Sequence, residues 1–137
     1  MTYELWTDGS STGKVAQGGW CWILTKDGAV IKQDSHGCSF TTNNLMEQEA
    51  AIQGLWYCYQ EKLSPTWYCD SQYAINIASG LFTPKKNLTS SALLKRLWDV
   101  VKPPTKWIKG HTGLYPFHTD CDRLAKPAKD EWKPKKE

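Results

Sequence analysis

The stretch YELWTDGSSTGKVAQGGWCWILTKDGAVIKQDSHGC (Tyr3–Cys38) decides how the chain folds. Tyr3 to Asp8 reads as a strand, Gly9 to Gly19 as a polar turn, and WCWILT (Trp20–Thr25) as a second strand, because β-branched and aromatic residues cluster between glycine-rich breaks. Lys26-Asp27-Gly28 then reads as a tight hairpin turn into a third strand, Ala29 to Cys38. Strands joined this closely are antiparallel neighbours.

The pattern changes downstream. From about Asn44 to Lys62 the apolar spacing becomes helical, and Glu47, Ala51, Leu55 and Cys58 share one stripe. TWYC (Thr66–Cys69) is a fourth strand, and SQYAINIAS (Ser71–Ser79) a short helix stopped by Gly80 and Pro84. Leu94, Leu97, Trp98 and Val101 mark another helix, ended by Pro103-Pro104. KWIK (Lys106–Lys109) is a fifth strand, GHTGLYPFHT (Gly110–Thr119) a loop, and Cys121, Leu124 and Ala125 lie on a last helix. The order βββαβααβα predicts an α/β fold: a five-stranded mixed sheet, antiparallel in its first three strands and parallel in the later ones through right-handed crossovers, with helices on both faces.

With 137 residues, 40% of them hydrophobic and eight of them tryptophan, the chain suits one packed domain. No apolar run approaches the roughly 20 residues of a membrane helix, and MTYELW carries no basic-plus-apolar leader. A soluble cytoplasmic monomer is expected. Five cysteines without a CxxC pair suggest neither a disulfide framework nor structural zinc. Of the net charge of +3, two units come from Lys126–Glu137, with five lysines against three acids. Composition places a domain boundary there, with 1–126 as the folded domain and 127–137 as a basic tail, frayed or disordered.

The acids fall at informative places. Asp8 ends the first strand, Asp70 ends the fourth, Glu47 opens the first long helix and Asp122 sits in the last. The carboxyl ends of parallel strands are where α/β proteins meet ligands. Each acid also has an ordinary reading: Asp70 capping the helix from Ser71, Glu47 completing a cap begun by Asn44, Asp8 shaping an Asp-Gly turn, and Asp122 as a surface charge. Together in one pocket they would repel one another, and a hard divalent cation, Mg²⁺ or Mn²⁺, would relieve that repulsion.

These residues stand in phrases that resemble ribonuclease H of the bacterial and retroviral type (type 1): TDGS (Thr7–Ser10), TTNNLMEQEAAIQGL (Thr41–Leu55), DSQYAINI (Asp70–Ile77), WIKGHTG (Trp107–Gly113) and CDRLA (Cys121–Ala125), in the family's order. The resemblance implies the ribonuclease H-like fold and an endoribonuclease that cleaves the RNA strand of RNA/DNA hybrids, leaving 5′-phosphate and 3′-hydroxyl ends. It implies that Asp8, Glu47, Asp70 and Asp122 bind two Mg²⁺, with Mn²⁺ as a substitute, and that His111 assists proton transfer or product release. It further implies that Asn43, Asn44 and Gln72 read the minor groove and its 2′-hydroxyls, and that Thr42 holds a DNA-strand phosphate.

His36 and His118 match no such frame and read as surface residues. The chain departs from the pattern in three places. Lys14 replaces a minor-groove amide with a charge suited to phosphate. GLFTPKKNLTSSA offers only Lys85, Lys86 and Phe82 where larger members insert a basic protrusion. GLYPFHTD is about one residue longer than the common pattern and lacks its asparagine. With the first strand opening at Tyr3, no separate hybrid-binding module is expected ahead of it. Two other classes compete: a silent hybrid-binding module, against which the intact acids argue, and a resolvase- or transposase-type domain, against which Asn43, Asn44, Gln72 and KGHTG argue.

Overall fold

A computed structural model describes residues 2–11 and 16–130. Its elements run β1 (Tyr3–Ser11), β2 (Ala16–Lys26), β3 (Ala29–Thr41), α1 (Asn43–Gln60), β4 (Thr66–Cys69), α2 (Gln72–Ser79), α3 (Leu88–Val101), β5 (Thr105–Trp107) and α4 (Pro116–Asp130). This is the order read from the sequence. The sheet order is β3-β2-β1-β4-β5, antiparallel across β1, β2 and β3 and parallel from β1 to β4 to β5. The hairpin between β2 and β3 closes with Asp27 at φ 50° and Gly28 at φ 85°. Two positive φ angles in a two-residue loop match the twist of the strands they join.

Alternation along the strands divides the interior into two cores. Leu5, Trp20, Trp22 and Leu24 face one side, where α1, α2 and α3 bring Ala51, Leu55, Ile77 and Leu94. Trp6, Cys21 and Ile23 face the other, against Cys121 and Ala125 of α4. The period of two along a strand makes this division unavoidable once both faces are covered. Trp67 is fully buried, and its indole donates to Thr7 Oγ1 at 2.9 Å, which ties β4 to β1 next to the acids.

All five cysteines are free thiols; Cys21, Cys58, Cys69 and Cys121 are buried as small core residues, and Cys38 is partly buried.

Several boundaries differ from the expectation. β3 continues through Thr41, because β2 extends back to Ala16 and keeps pairing with it. The loop after β5 is shorter than expected, since α4 begins at Pro116, a residue whose missing N–H costs nothing in a helix's first turn. That places His118 on α4. α4 also runs on to Asp130, into the lysine-rich segment.

Candidate active site

β1 and β4 run in parallel until Thr7 pairs with Cys69. Asp8 and Asp70 are the next residues on each chain, where the two separate and leave the crevice typical of α/β carboxyl ends. Strand alternation sends Asp8 to the same side as Trp6, toward α4, and away from Leu5. Glu47 arrives from α1 on the opposite face. Its approach depends on Gly9: a Cβ there would overlap the backbone of Met46 and Glu47. The Gly9 N–H donates to Glu47 Oε1 at 2.7 Å and to Asp8 Oδ1 at 3.0 Å, holding both carboxylates at one point. Gly110 has a similar duty, since a Cβ there would overlap the Asp70 carboxylate. Trp107 Nε1 donates to the Asp70 carbonyl at 2.9 Å and fixes the backbone after β4.

α4 supplies Asp122 and, one turn earlier on the same face, His118. The surface reading of His118 is wrong: the residue is 3% exposed, with Nε2 3.6 Å from Asp70 Oδ2 and 3.9 Å from Asp8 Oδ1. As a loop residue, His118 shows no relation to Asp122; on a helix their spacing of four residues puts them on one face. His36 is exposed, 3.4 Å from Asp34. His111 stands at the rim, exposed, at φ 61°, with Nδ1 3.9 Å from Asp122 Oδ2. Lys126, one turn beyond Asp122, reaches its Oδ2 at 3.0 Å.

The four acids and His111 line one open cleft of about 350 Å³, with Asn43 and Asn44 on its wall. Neither asparagine caps α1. Thr42 is the N-cap, accepting from Leu45 N at 3.2 Å, while Asn43 Oδ1 accepts from Ser11 N at 2.7 Å. The cap reading of Asp70 fails in the same way, because Ser71 caps α2 by accepting from Ala74 N at 3.0 Å. Gln72 is exposed at the first residue of α2, beside Ser71, which lines the cleft. Lys14 lies outside the described residues.

The electrostatics are those of a site short of positive charge. Burial, then repulsion from Asp70 and Asp122, pushes Asp8 up to about 9. Burial, then the Asp8 charge, lifts Glu47 well above the usual carboxylate range. Burial also pushes Asp70 upward, but its neighbours His118 and Glu47 outweigh that and hold it below its ordinary value.

Asp8 Oδ2, Asp70 Oδ1 and His118 Nε2 are buried without a hydrogen-bond partner. Buried polar atoms are nearly always paired, so three orphans in one place fit a bound cation. One ligand atom from each of these residues lies within 4.8 Å of the others. The donor set is mostly carboxylate, which suits a hard divalent ion.

A sequence model of the RNase H family matches residues 1–130. The ribonuclease H of Campylobacter curvus is 33% identical over 138 aligned positions, covering 91% of each chain. The ribonuclease HI of Haemophilus ducreyi is 36% identical, covering 90% of this chain and 87% of its own. Among solved structures, RNase H1 of Halobacterium salinarum superposes with a TM-score of 0.80 at 19% identity, covering 96% of this chain and 99% of that one. LC11-RNase H1, solved in complex with an RNA/DNA hybrid, superposes with a TM-score of 0.78 at 21% identity, covering 95% of this chain and 98% of its own. At those identities the two structures speak for the backbone alone, and it is the sequence matches that carry the assignment: the chain belongs to the RNase H family and is an endonucleolytic hydrolase.

Proposed function

We propose that this protein hydrolyses the RNA strand of RNA/DNA hybrids with two divalent cations, Mg²⁺ or in its place Mn²⁺, leaving 5′-phosphate and 3′-hydroxyl ends. The observation that carries the reading is the meeting of Asp8, Glu47, Asp70 and Asp122 in one cleft, with one carboxylate oxygen of Asp8 and one of Asp70 buried and unpaired. Two such ions, when bound, make the attacking water more acidic and stabilise the leaving oxygen.

The chain's own part is to place and orient. Gly9 N–H fixes Asp8 and Glu47 from β1, and the Trp107 indole fixes the backbone of Asp70. His111 is exposed at the mouth of the cleft, where an imidazole can pass a proton between the site and solvent. With its oxygen engaged by Ser11 N, Asn43 is left with an amide NH₂ to donate to a sugar hydroxyl. Thr42 accepts from Leu45 N and keeps its O–H to donate to a phosphate. Asn44, Gln72 and Lys14 complete the proposed hybrid contacts.

The protein is read as a cytoplasmic monomer. Free cysteines suit a reducing compartment, and among the described residues no helix is long and apolar enough to cross a membrane. The catalytic unit is read as 1–126, with 127–137 as a basic tail. A cleavage assay on RNA/DNA hybrid, double-stranded RNA and double-stranded DNA, with Mg²⁺ or with EDTA, tests the function. Only the RNA of the hybrid should be cut, and only with metal. Cutting of DNA, or cutting in EDTA, would overturn the reading.

A further inference from the structure

His118 takes no part in the hydrolysis proposed above, yet its ring lies buried at the floor of the acids. Its side chain is 4% exposed, and its Nε2 is buried with no hydrogen-bond partner. The 3.6 Å to Asp70 Oδ2 and 3.9 Å to Asp8 Oδ1 are too long for hydrogen bonds. They are the separations expected of ligand atoms sharing an ion: with bonds of about 2.1 Å, donors around one metal stand roughly 3 to 4.3 Å apart. The two carboxylates facing Nε2 each carry an orphaned oxygen as well, Asp8 Oδ2 and Asp70 Oδ1.

We infer that His118 Nε2 is a nitrogen ligand of the cation held between Asp8 and Asp70, and that it shifts this site toward Mn²⁺ relative to an all-oxygen one. The inference rests on the proposed metal site and specifies its chemistry. Mg²⁺ takes oxygen donors and keeps its waters, whereas imidazole gains affinity along the first-row transition metals, so a nitrogen at one corner favours Mn²⁺. The position is accessible to no other described histidine: His111 is exposed at the rim beside Asp122, and His36 is exposed on β3.

Pulsed EPR of the Mn²⁺-loaded full chain, with histidine labelled by ¹⁵N, reads nitrogen bonded to manganese without recourse to activity. Wild type and His111→Ala should show the same histidine coupling, and His118→Asn should lose it. In parallel, calorimetric titrations with Mn²⁺ and Mg²⁺ should show the Mn²⁺ preference of the wild type falling about tenfold or more in His118→Asn, the range typical of losing a metal-site contact.

If Mn²⁺ binds without histidine coupling, or the coupling survives His118→Asn, the inference is overturned while the metal site stands. If neither wild type nor Asp8→Asn binds Mn²⁺, both fail. Should His118→Asn not fold, wild type and His111→Ala still decide: coupling present in both supports His118, and coupling missing from either overturns it.

Discussion

Asp8 and Asp70 are the same chemical group at the same cleft, yet their surroundings drive them apart. Asp8 is pushed up to about 9 by burial and then by its acidic neighbours, while His118 and Glu47 keep Asp70 below its ordinary value despite burial. A mutual repulsion of acids is legible in sequence. Which acid bears it is not, because that depends on His118, whose burial no phrase announces. A group whose folded pKa is raised stabilises fully below its unfolded pKa, about 3.9, and loses that contribution as pH climbs through the folded value. In EDTA the protein should therefore melt at progressively lower temperature from pH 5 to pH 9. Asp8→Asn keeps a carbonyl oxygen for Gly9 N–H, so it should flatten the slope and melt higher than wild type in EDTA near pH 8. Thermal melts across pH check this, and a wild type whose stability does not fall with pH in EDTA would refute the assignment. The same variant, and Asp70→Asn, should lose hybrid cleavage while still binding hybrid. His111→Ala should retain activity but lose on the order of 10²-fold in turnover, the lower range for general acid-base catalysis.

The elements show where pattern reading works and where it stops. Strand and helix order was legible because side-chain period differs between the two, and Leu5 and Trp6 do face separate cores. Element ends were less so, since they are fixed by single hydrogen bonds. Thr42, not Asn44, caps α1, and Ser71, not Asp70, caps α2. Pro116 starting α4 was the readable sign that His118 belongs to a helix. Cap and contact can be separated by mutation. Thr42→Ala should cost about 1 kcal/mol of stability through the lost cap. Asn44→Ala, exposed on the cleft wall, should stay within about 0.5 kcal/mol yet reduce cleavage of hybrid. Urea denaturation beside initial rates distinguishes them, and equal stability losses would mean that the cap is shared. The meeting of β1 with α1 is stricter still. Gly9→Ala places a Cβ against the backbone of Met46 and Glu47, and backbone cannot rotate away as a side chain can. It should destabilise by about 1–3 kcal/mol and weaken metal binding by displacing Glu47, both measurable by melts in EDTA and in Mg²⁺.

At the scale of the whole molecule the acid cleft has to receive a polyanion, and divalent cations bound there would supply only part of the compensation. Beside it, a second depression of about 280 Å³ shares Asn44 with the active-site wall and is lined by Lys85 and Lys86. Both lysines are exposed, as is Phe82 in the same turn. This short segment between α2 and α3 is the whole of what stands where a basic protrusion would otherwise grip the duplex. Lys126 is engaged with Asp122 at 3.0 Å, so it is not a free phosphate contact as the site stands. Affinity for a polyanion falls with salt because each phosphate neutralised releases counterions, with a slope of about −0.9 per contact on duplex DNA. If Lys85, Lys86 and a few polar donors such as Thr42 supply the grip, about four phosphates would be contacted, and the slope of log affinity against log salt should be near −4 or shallower. The measurement is hybrid binding by Asp70→Asn, which removes cleavage, from low to moderate salt. Lys85→Ala combined with Lys86→Ala should lower the slope further by about 2. A slope near −9 with both lysines present, as for ten contacts, would mean that other basic residues make the principal grip and that these two lysines are incidental.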